Sequence, residues 1–197
     1  PVSGRFSALQ KDLYQIVYDA QKVVLDQLKP GVPFMDMHKL SCQTLVKGMI
    51  DMKVFKGDPV EIVESGAYAI VFQCGLGHHI GMDVHDMEGL GEQWVGYGEG
   101  YERSALFGMK YLRMAKPMRE GYVMTVEPGL YFIPAQFAQW RAENRFGDMI
   151  QYHELEKFMG VGGVRIEDDV LITANGMRVL GPHIPRTADE VEEAMQC

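Results

Sequence analysis

The histidines of this chain gather in one glycine-rich segment. Three of its six histidines, His78, His79 and His85, lie in the stretch GLGHHIGMDVHD that begins at Gly75. Imidazole is the commonest metal ligand in proteins and a proton carrier near neutral pH. In an extended chain His78 and His85 point to opposite faces unless a turn intervenes, and the glycines make such a turn easy. A glycine-rich surface loop with no chemical role explains the same spacing equally well.

Two other segments place charged residues inside apolar, strand-like sequence. Glu127 stands in TVEPGL, and burying its charge requires an arginine, several hydrogen bonds or a metal ion. In GVRIEDDV, alternation puts Arg165, Glu167 and Asp169 on one face of a strand. One histidine and two strand glutamates would make a site of nitrogen and oxygen donors, which suits Mn²⁺, Co²⁺ or Zn²⁺. An exposed polar face on a half-buried sheet is the alternative for both strands.

The elements that must position these residues change character along the chain. A capping box at Ser7 predicts a helix that ends before Pro30, and apolar spacing predicts a second helix over 36–52. Asp58 followed by proline predicts a third helix that ends near Gly66.

The second half is rich in strand-forming residues. Residues 122–132, interrupted at Glu127-Pro128-Gly129, and 163–173 are predicted to be strands, and 88–104 a surface loop. The stretch 135–158 is predicted to be a helical insertion, and Thr187 to cap a final short helix. Helices followed by strands indicate an α+β fold with helices packed on one face of an antiparallel sheet.

Composition limits the classes of function. A length of 197 residues corresponds to about one domain. The formal net charge of −8 argues against a nucleic-acid partner, and no apolar run approaches the ~20 residues needed to span a membrane. Three widely spaced cysteines, Cys42, Cys74 and Cys197, do not form a disulfide framework and indicate a reducing, cytoplasmic compartment.

The three segments GLGHHIGMDVHD, VMTVEPGLYF and GVRIEDDVLIT resemble, in order and spacing, the motifs of the pita-bread metallopeptidases. That family includes methionine aminopeptidase, aminopeptidase P and prolidase. The resemblance extends over essentially the whole chain. It implies the pita-bread α+β fold and a site for two divalent ions, with Mn²⁺ expected first and Co²⁺ or Zn²⁺ as alternatives.

The resemblance also assigns roles to individual residues. It implies that His78, Glu127 and Glu167 are metal ligands, with Glu167 bridging both ions. It implies that Glu127 moves a proton to the leaving nitrogen, that His85 contacts the substrate and stabilises developing charge, and that Arg165 orders the site.

Two departures from the family pattern carry expectations of their own. The family's two aspartate ligands have no counterpart here, so we expect residues 1–197 to be the C-terminal part of the catalytic domain. That part alone is expected to be inactive and to bind metal poorly or not at all. Glu127 is then expected to face Glu167, with one of them taking up a proton or contacting Arg165. Cys74 stands where relatives usually carry a pocket histidine.

The activity expected within the family is that of an Xaa-Pro dipeptidase. Relatives of that kind carry an insertion like 135–158, and Arg113 falls where prolidase has an arginine that binds the substrate's terminal carboxylate. A surface charge is the alternative for Arg113. The resemblance implies a proline-containing peptide substrate and a homodimer. Aminopeptidase P, a pita-bread binding module that has lost its metals, and a metal-free creatinase-like hydrolase are the alternative functions.

Overall fold

The computed structural model describes residues 1–196 of the chain, and Cys197 lies outside the described residues. Six α-helices are α1 Ala8–Gln27, α2 Phe34–Asp51, α3 Pro59–Ser65, α4 Pro134–Ala142, α5 Tyr152–Leu155 and α6 Ala188–Ala194. Five strands are β1 Val123–Val126, β2 Gly129–Tyr131, β3 Gly163–Arg165, β4 Asp168–Thr173 and β5 Gly176–Val179.

The predicted helix starts are confirmed where capping residues mark them. The Ser7 hydroxyl accepts the N–H of Gln10, whose side chain accepts the N–H of Ser7 in return. Asp58 caps α3 and Thr187 caps α6. The predicted insertion contains α4 and α5, and the loop 88–104 contains short helical turns at Glu88–Leu90 and Gln93–Tyr97.

The strands form two short antiparallel sheets instead of one continuous sheet. Their orders are β1-β4-β5 and β2-β3. Val126 pairs with Asp168 and Gly129 pairs with Arg165, so two unpaired residues separate these pairs on each side. The two ladders therefore belong to one ribbon in continuous register, and its interruption places Glu127 opposite Glu167.

Helix α1 covers this ribbon on one face, as the α+β pattern predicts. It packs against α2 and contacts β1, β2 and β3. Its apolar face, with Leu13, Val17 and Val24 fully buried, supplies the core beneath the strands. The buried Gln21 side chain donates to the carbonyl of Val126 at 3.1 Å, so α1 also ties down the residue just before Glu127.

The structure bears on two expectations from composition, the state of the cysteines and the presence of a membrane-spanning helix. Cys42 and Cys74 are both free thiols. Over residues 1–196, no helix combines the length and the apolar character that crossing a lipid bilayer requires.

Candidate active site

An irregular segment pairs with β1 and positions the first histidine. The N–H of Glu127 donates to Leu76 at 2.8 Å, that of Thr125 to His78 at 3.0 Å and that of Ile80 to Val123 at 3.1 Å. This close approach explains a glycine in the motif, because a Cβ on Gly77 would lie 2.1 Å from the backbone oxygen of Thr125. The segment around His78 thus lies along one edge of β1, and β4 pairs with the other edge.

Thr125 links His78 to Glu127, a connection that sequence reasoning missed. Its buried hydroxyl accepts the backbone N–H of His78 at 3.0 Å and donates to Glu127 Oε1 at 2.8 Å. Thr125 and Glu127 are two residues apart in the strand, so their side chains share a face. That spacing within TVE was the available signal.

His78 and Glu127 form a pair suited to hold a cation. His78 Nδ1 lies 2.9 Å from the carbonyl oxygen of His79, which only accepts, so Nδ1 carries the proton. In the neutral ring Nε2 then presents a lone pair to Glu127 Oε1, 3.2 Å away. The two side chains are only 8% and 13% exposed. Two acceptors held this close require a shared proton or a metal ion, and imidazole nitrogen with carboxylate oxygen is a donor set for Mn²⁺, Co²⁺ or Zn²⁺.

Arg165 holds the other oxygen of Glu127. Its guanidinium forms an ion pair with Glu127 Oε2, while its Nε donates to the Tyr131 hydroxyl at 2.5 Å. Burial raises the pKa of Tyr131, so the phenol stays neutral beside the guanidinium. The sequence leads us to expect a proton on one of the two glutamates or a contact of one of them with Arg165, and the structure shows the contact, which Glu127 makes.

A tight turn brings His85 back to His78. The N–H of Asp86 donates to the carbonyl of His79 at 3.1 Å, and the Asp86 carboxylate accepts the N–H of Met82 at 3.1 Å. The rings of His78 and His85 meet edge to face with centroids 4.3 Å apart. His79 packs instead against Tyr122, with ring centroids 4.8 Å apart.

His85 is held in one tautomer by Arg113. Nη1 of Arg113 lies 3.3 Å from His85 Nδ1, and because a guanidinium only donates, the His85 proton is on Nε2. Desolvation, followed by the positive charge of Arg113, lowers the pKa of His85 and so favours the neutral ring. Arg113 also forms an ion pair with Glu88, a contact between residues 25 apart that sequence reasoning missed.

Glu167 remains apart from the other two expected ligands. Its backbone lies opposite Glu127 in the ribbon, but its side chain is exposed and makes no ion pair with another described residue. Among residues 1–196, no group of three or more His, Cys, Asp or Glu side chains is arranged to hold a metal ion. The structure therefore brings together His78 and Glu127 only, and the ligand role of Glu167 stays a prediction.

The expected site residues other than Glu167 line one pocket of about 520 Å³. Aromatic and aliphatic side chains form its apolar wall, and Cys74 lines it as well. The lining residues are Gln73, Cys74, Gly75, Gly77, His78, His85, Phe107, Tyr111, Arg113, Glu127, Ile133, Gln136 and Arg165. The pocket is of a size that takes a small organic ligand.

The histidine and the carboxylate of this pocket are of the donor types that metal-dependent hydrolases use. The chain belongs to metallopeptidase family M24, whose model matches residues 2–174. Use of divalent metal is thus a property of its family.

Similar proteins agree with this membership. The Xaa-Pro dipeptidase of Homo sapiens is 36% identical over 195 residues, which are 99% of this chain and 38% of that protein. A probable Xaa-Pro aminopeptidase of Ajellomyces dermatitidis is 36% identical, over 98% of this chain and 39% of its own length. The structure of Pseudomonas aeruginosa aminopeptidase PepP matches with a TM-score of 0.73 and 30% identity, covering 100% of this chain and 36% of that chain.

These comparisons confirm the family and the pita-bread fold that the three motifs imply. The chain spans less than two fifths of the length of each of these three relatives.

Proposed function

We propose that this chain is the part of a catalytic domain that carries the histidine and glutamate ligands of an enzyme hydrolysing Xaa-Pro peptide bonds. The observation that carries the proposal is the His78–Glu127 pair, set 3.2 Å apart in the wall of a pocket that also contains His85 and two arginines. The matched dipeptidase and aminopeptidase are named for action at Xaa-Pro, which supports this substrate class.

The proposed metal ligands are His78, Glu127 and Glu167, holding two divalent ions in the whole enzyme, with manganese proposed first and cobalt or zinc as alternatives. When bound, such ions lower the pKa of water and polarise a carbonyl oxygen. His78 and Glu127 support the assignment by their donor chemistry, and Glu167 by its place opposite Glu127 in the ribbon. The 197-residue chain alone is proposed to be inactive.

The remaining side chains of the pocket bind and orient the peptide. His85 presents Nε2–H because Arg113 contacts its Nδ1, so the ring can donate to the oxygen on which negative charge develops. Glu127 is the carboxylate proposed to carry a proton to the leaving nitrogen. Arg165 restrains Glu127 by its ion pair and leaves Oε1 on the His78 side.

The first candidate substrate is an Xaa-Pro dipeptide, because Arg113 places a cation in the pocket wall where a terminal carboxylate could bind. Removal of an N-terminal residue from a longer Xaa-Pro peptide is the second candidate. The ion pair between Arg113 and Glu88 favours this second candidate, since the Arg113 guanidinium already has one carboxylate partner.

Replacing Arg113 by alanine in the full natural protein tests the dipeptidase proposal. A charge-assisted contact is worth roughly 1.5–3 kcal/mol, so KM for Xaa-Pro dipeptides should rise about tenfold or more. KM for Xaa-Pro-Yaa tripeptides should change little. Arg103→Ala is the matched control, because Arg103 pairs with Glu92 and is not among the residues lining the pocket.

Equal losses on dipeptides and tripeptides would contradict the dipeptidase assignment. Absence of any Xaa-Pro hydrolysis by the metal-loaded protein would favour the non-catalytic binding module.

Cytoplasmic location and a homodimer complete the proposal, and the dimer is checked by light scattering on the purified protein. The free thiols Cys42 and Cys74 support a reducing compartment, and the net charge of −8 supports a partner other than nucleic acid.

A further inference from the structure

Glu88 is the one acidic side chain paired with Arg113 among the described residues, and it lies outside the family motifs. It opens the helical turn Glu88–Leu90, and its Oε2 forms an ion pair with Nη1 of Arg113. The Glu88 side chain is 21% exposed and that of Arg113 is 37% exposed, so water screens the pair only in part. Arg113 lines the pocket, whereas Glu88 is absent from the lining.

This arrangement changes what Arg113 can offer a ligand. Nη1 already faces Glu88 and the Nδ1 of His85, so a ligand carboxylate is left with the remaining N–H groups of the guanidinium. More importantly, the charge of Glu88 offsets that of Arg113. A second carboxylate approaching Arg113 is therefore attracted by the arginine and repelled by Glu88, while an uncharged peptide group loses nothing.

The Glu88 carboxylate has no other attachment within residues 1–196. Its Oε1 is buried and makes no hydrogen bond to a described residue. Its ion pairs and hydrogen bonds with described side chains are thus confined to Arg113, although its negative charge also acts on the nearby His85 ring. Removing the charge of Glu88 breaks no second hydrogen bond of that carboxylate.

We infer that Glu88 is a specificity-determining residue: by offsetting the charge of Arg113, it disfavours substrates that end in a carboxylate after proline relative to substrates whose chain continues. This inference rests on the proposed function and deepens it. It makes the balance between Xaa-Pro dipeptides and longer Xaa-Pro peptides depend on one acidic residue.

The test compares Glu88→Gln with the unaltered full-length protein. The ratio of kcat/KM for an Xaa-Pro dipeptide to kcat/KM for the matching Xaa-Pro-Yaa tripeptide should rise about three- to fivefold, as expected for unmasking a partly exposed cation. The matched control is Glu92→Gln. Glu92 lies in the same loop, is 22% exposed and pairs with Arg103, so that ratio should stay within about twofold.

A binding measurement separates this inference from the proposed function. Calorimetry with an Xaa-Pro dipeptide and its C-terminal amide gives the acid-to-amide affinity ratio within each protein, a quantity independent of the folded fraction. The ratio should be higher in Glu88→Gln than in the unaltered protein.

An unchanged ratio would overturn the inference, and so would a lower one, which would show that Glu88 orients Arg113 toward the carboxylate. Failure to bind either ligand would overturn it too. A protein that binds both ligands but hydrolyses no Xaa-Pro peptide would contradict the proposed function, and the calorimetric ratio would still decide the role of Glu88.

Discussion

Replacing Thr125 by valine removes the hydroxyl that joins the two buried side chains of the site while keeping the shape of the residue. The loss includes the hydrogen bond to the charged Glu127 at 2.8 Å, worth roughly 1.5–3 kcal/mol. It also leaves the N–H of His78, now bonded at 3.0 Å, without its acceptor, which costs about 1–3 kcal/mol. Glu127 keeps Arg165, and the two losses share one atom, so they are not additive. We expect a destabilisation of about 3 kcal/mol.

Urea unfolding of the protein measures this loss from the transition midpoint and slope. For a chain of this size, about 3 kcal/mol lowers Tm by roughly 6–12 °C. Thr173→Val is the matched control, since Thr173 lies in β4, is half-buried and makes no side-chain hydrogen bond to a described residue. It should stay within about 0.5 kcal/mol of the unaltered protein. A loss below about 1 kcal/mol for Thr125→Val would refute the reasoning, since it would show that this hydroxyl does not hold the pair together.

Two further predictions concern backbone packing and pH. Gly77→Ala should destabilise the protein by about 1–3 kcal/mol in the same assay, because its Cβ would lie 2.1 Å from a backbone oxygen of β1, whereas Gly89→Ala meets no atom within 4 Å and should be nearly neutral. The N–H groups of Thr187 and then Arg186 lower the pKa of Glu190 from 4.5 to about 2 in the folded protein. Its contribution to stability is therefore complete above the unfolded pKa and is lost as pH falls through that range. Glu190→Gln should flatten the stability profile between about pH 4.5 and 2, and an unchanged acid limb would contradict this.

Much of the helical layer could be predicted because its signals are local. The hydrogen bonds of the Ser7 capping box and the Asp58 cap join residues no more than three positions apart, so sequence spacing suffices to find them. Apolar spacing located α2, although the helix begins at Phe34, two residues before the predicted start. The interruption at Glu127-Pro128-Gly129 was predicted, but the matching break that divides 163–173 into β3 and β4 was not, because it depends on pairing between the two strands.

The candidate site likewise has features that could be predicted from the sequence and others that could not. The motifs predicted that His78, Glu127 and Arg165 belong to one site, and the structure places all three in the lining of one pocket. The contact between Glu88 and Arg113 could not be predicted, because it depends on how the loop after the histidine motif returns toward the pocket. Pairing of this kind is set by tertiary structure and leaves no periodic signal in the sequence.

The two oxygens of the Glu127 carboxylate have different partners: Oε2 pairs with Arg165 and Oε1 lies beside His78. Glu127 lies in the interruption of the ribbon, where its side chain is only 13% exposed and its charge would destabilise the fold if left unbalanced. Arg165 offsets that charge at Oε2, so Oε1 can remain beside the Nε2 of His78 at 3.2 Å. A buried carboxylate needs such compensation on both oxygens. The arginine therefore supports the fold and the candidate site by the same ion pair, and it leaves Glu127 Oε1 beside His78, where we propose that a metal ion binds.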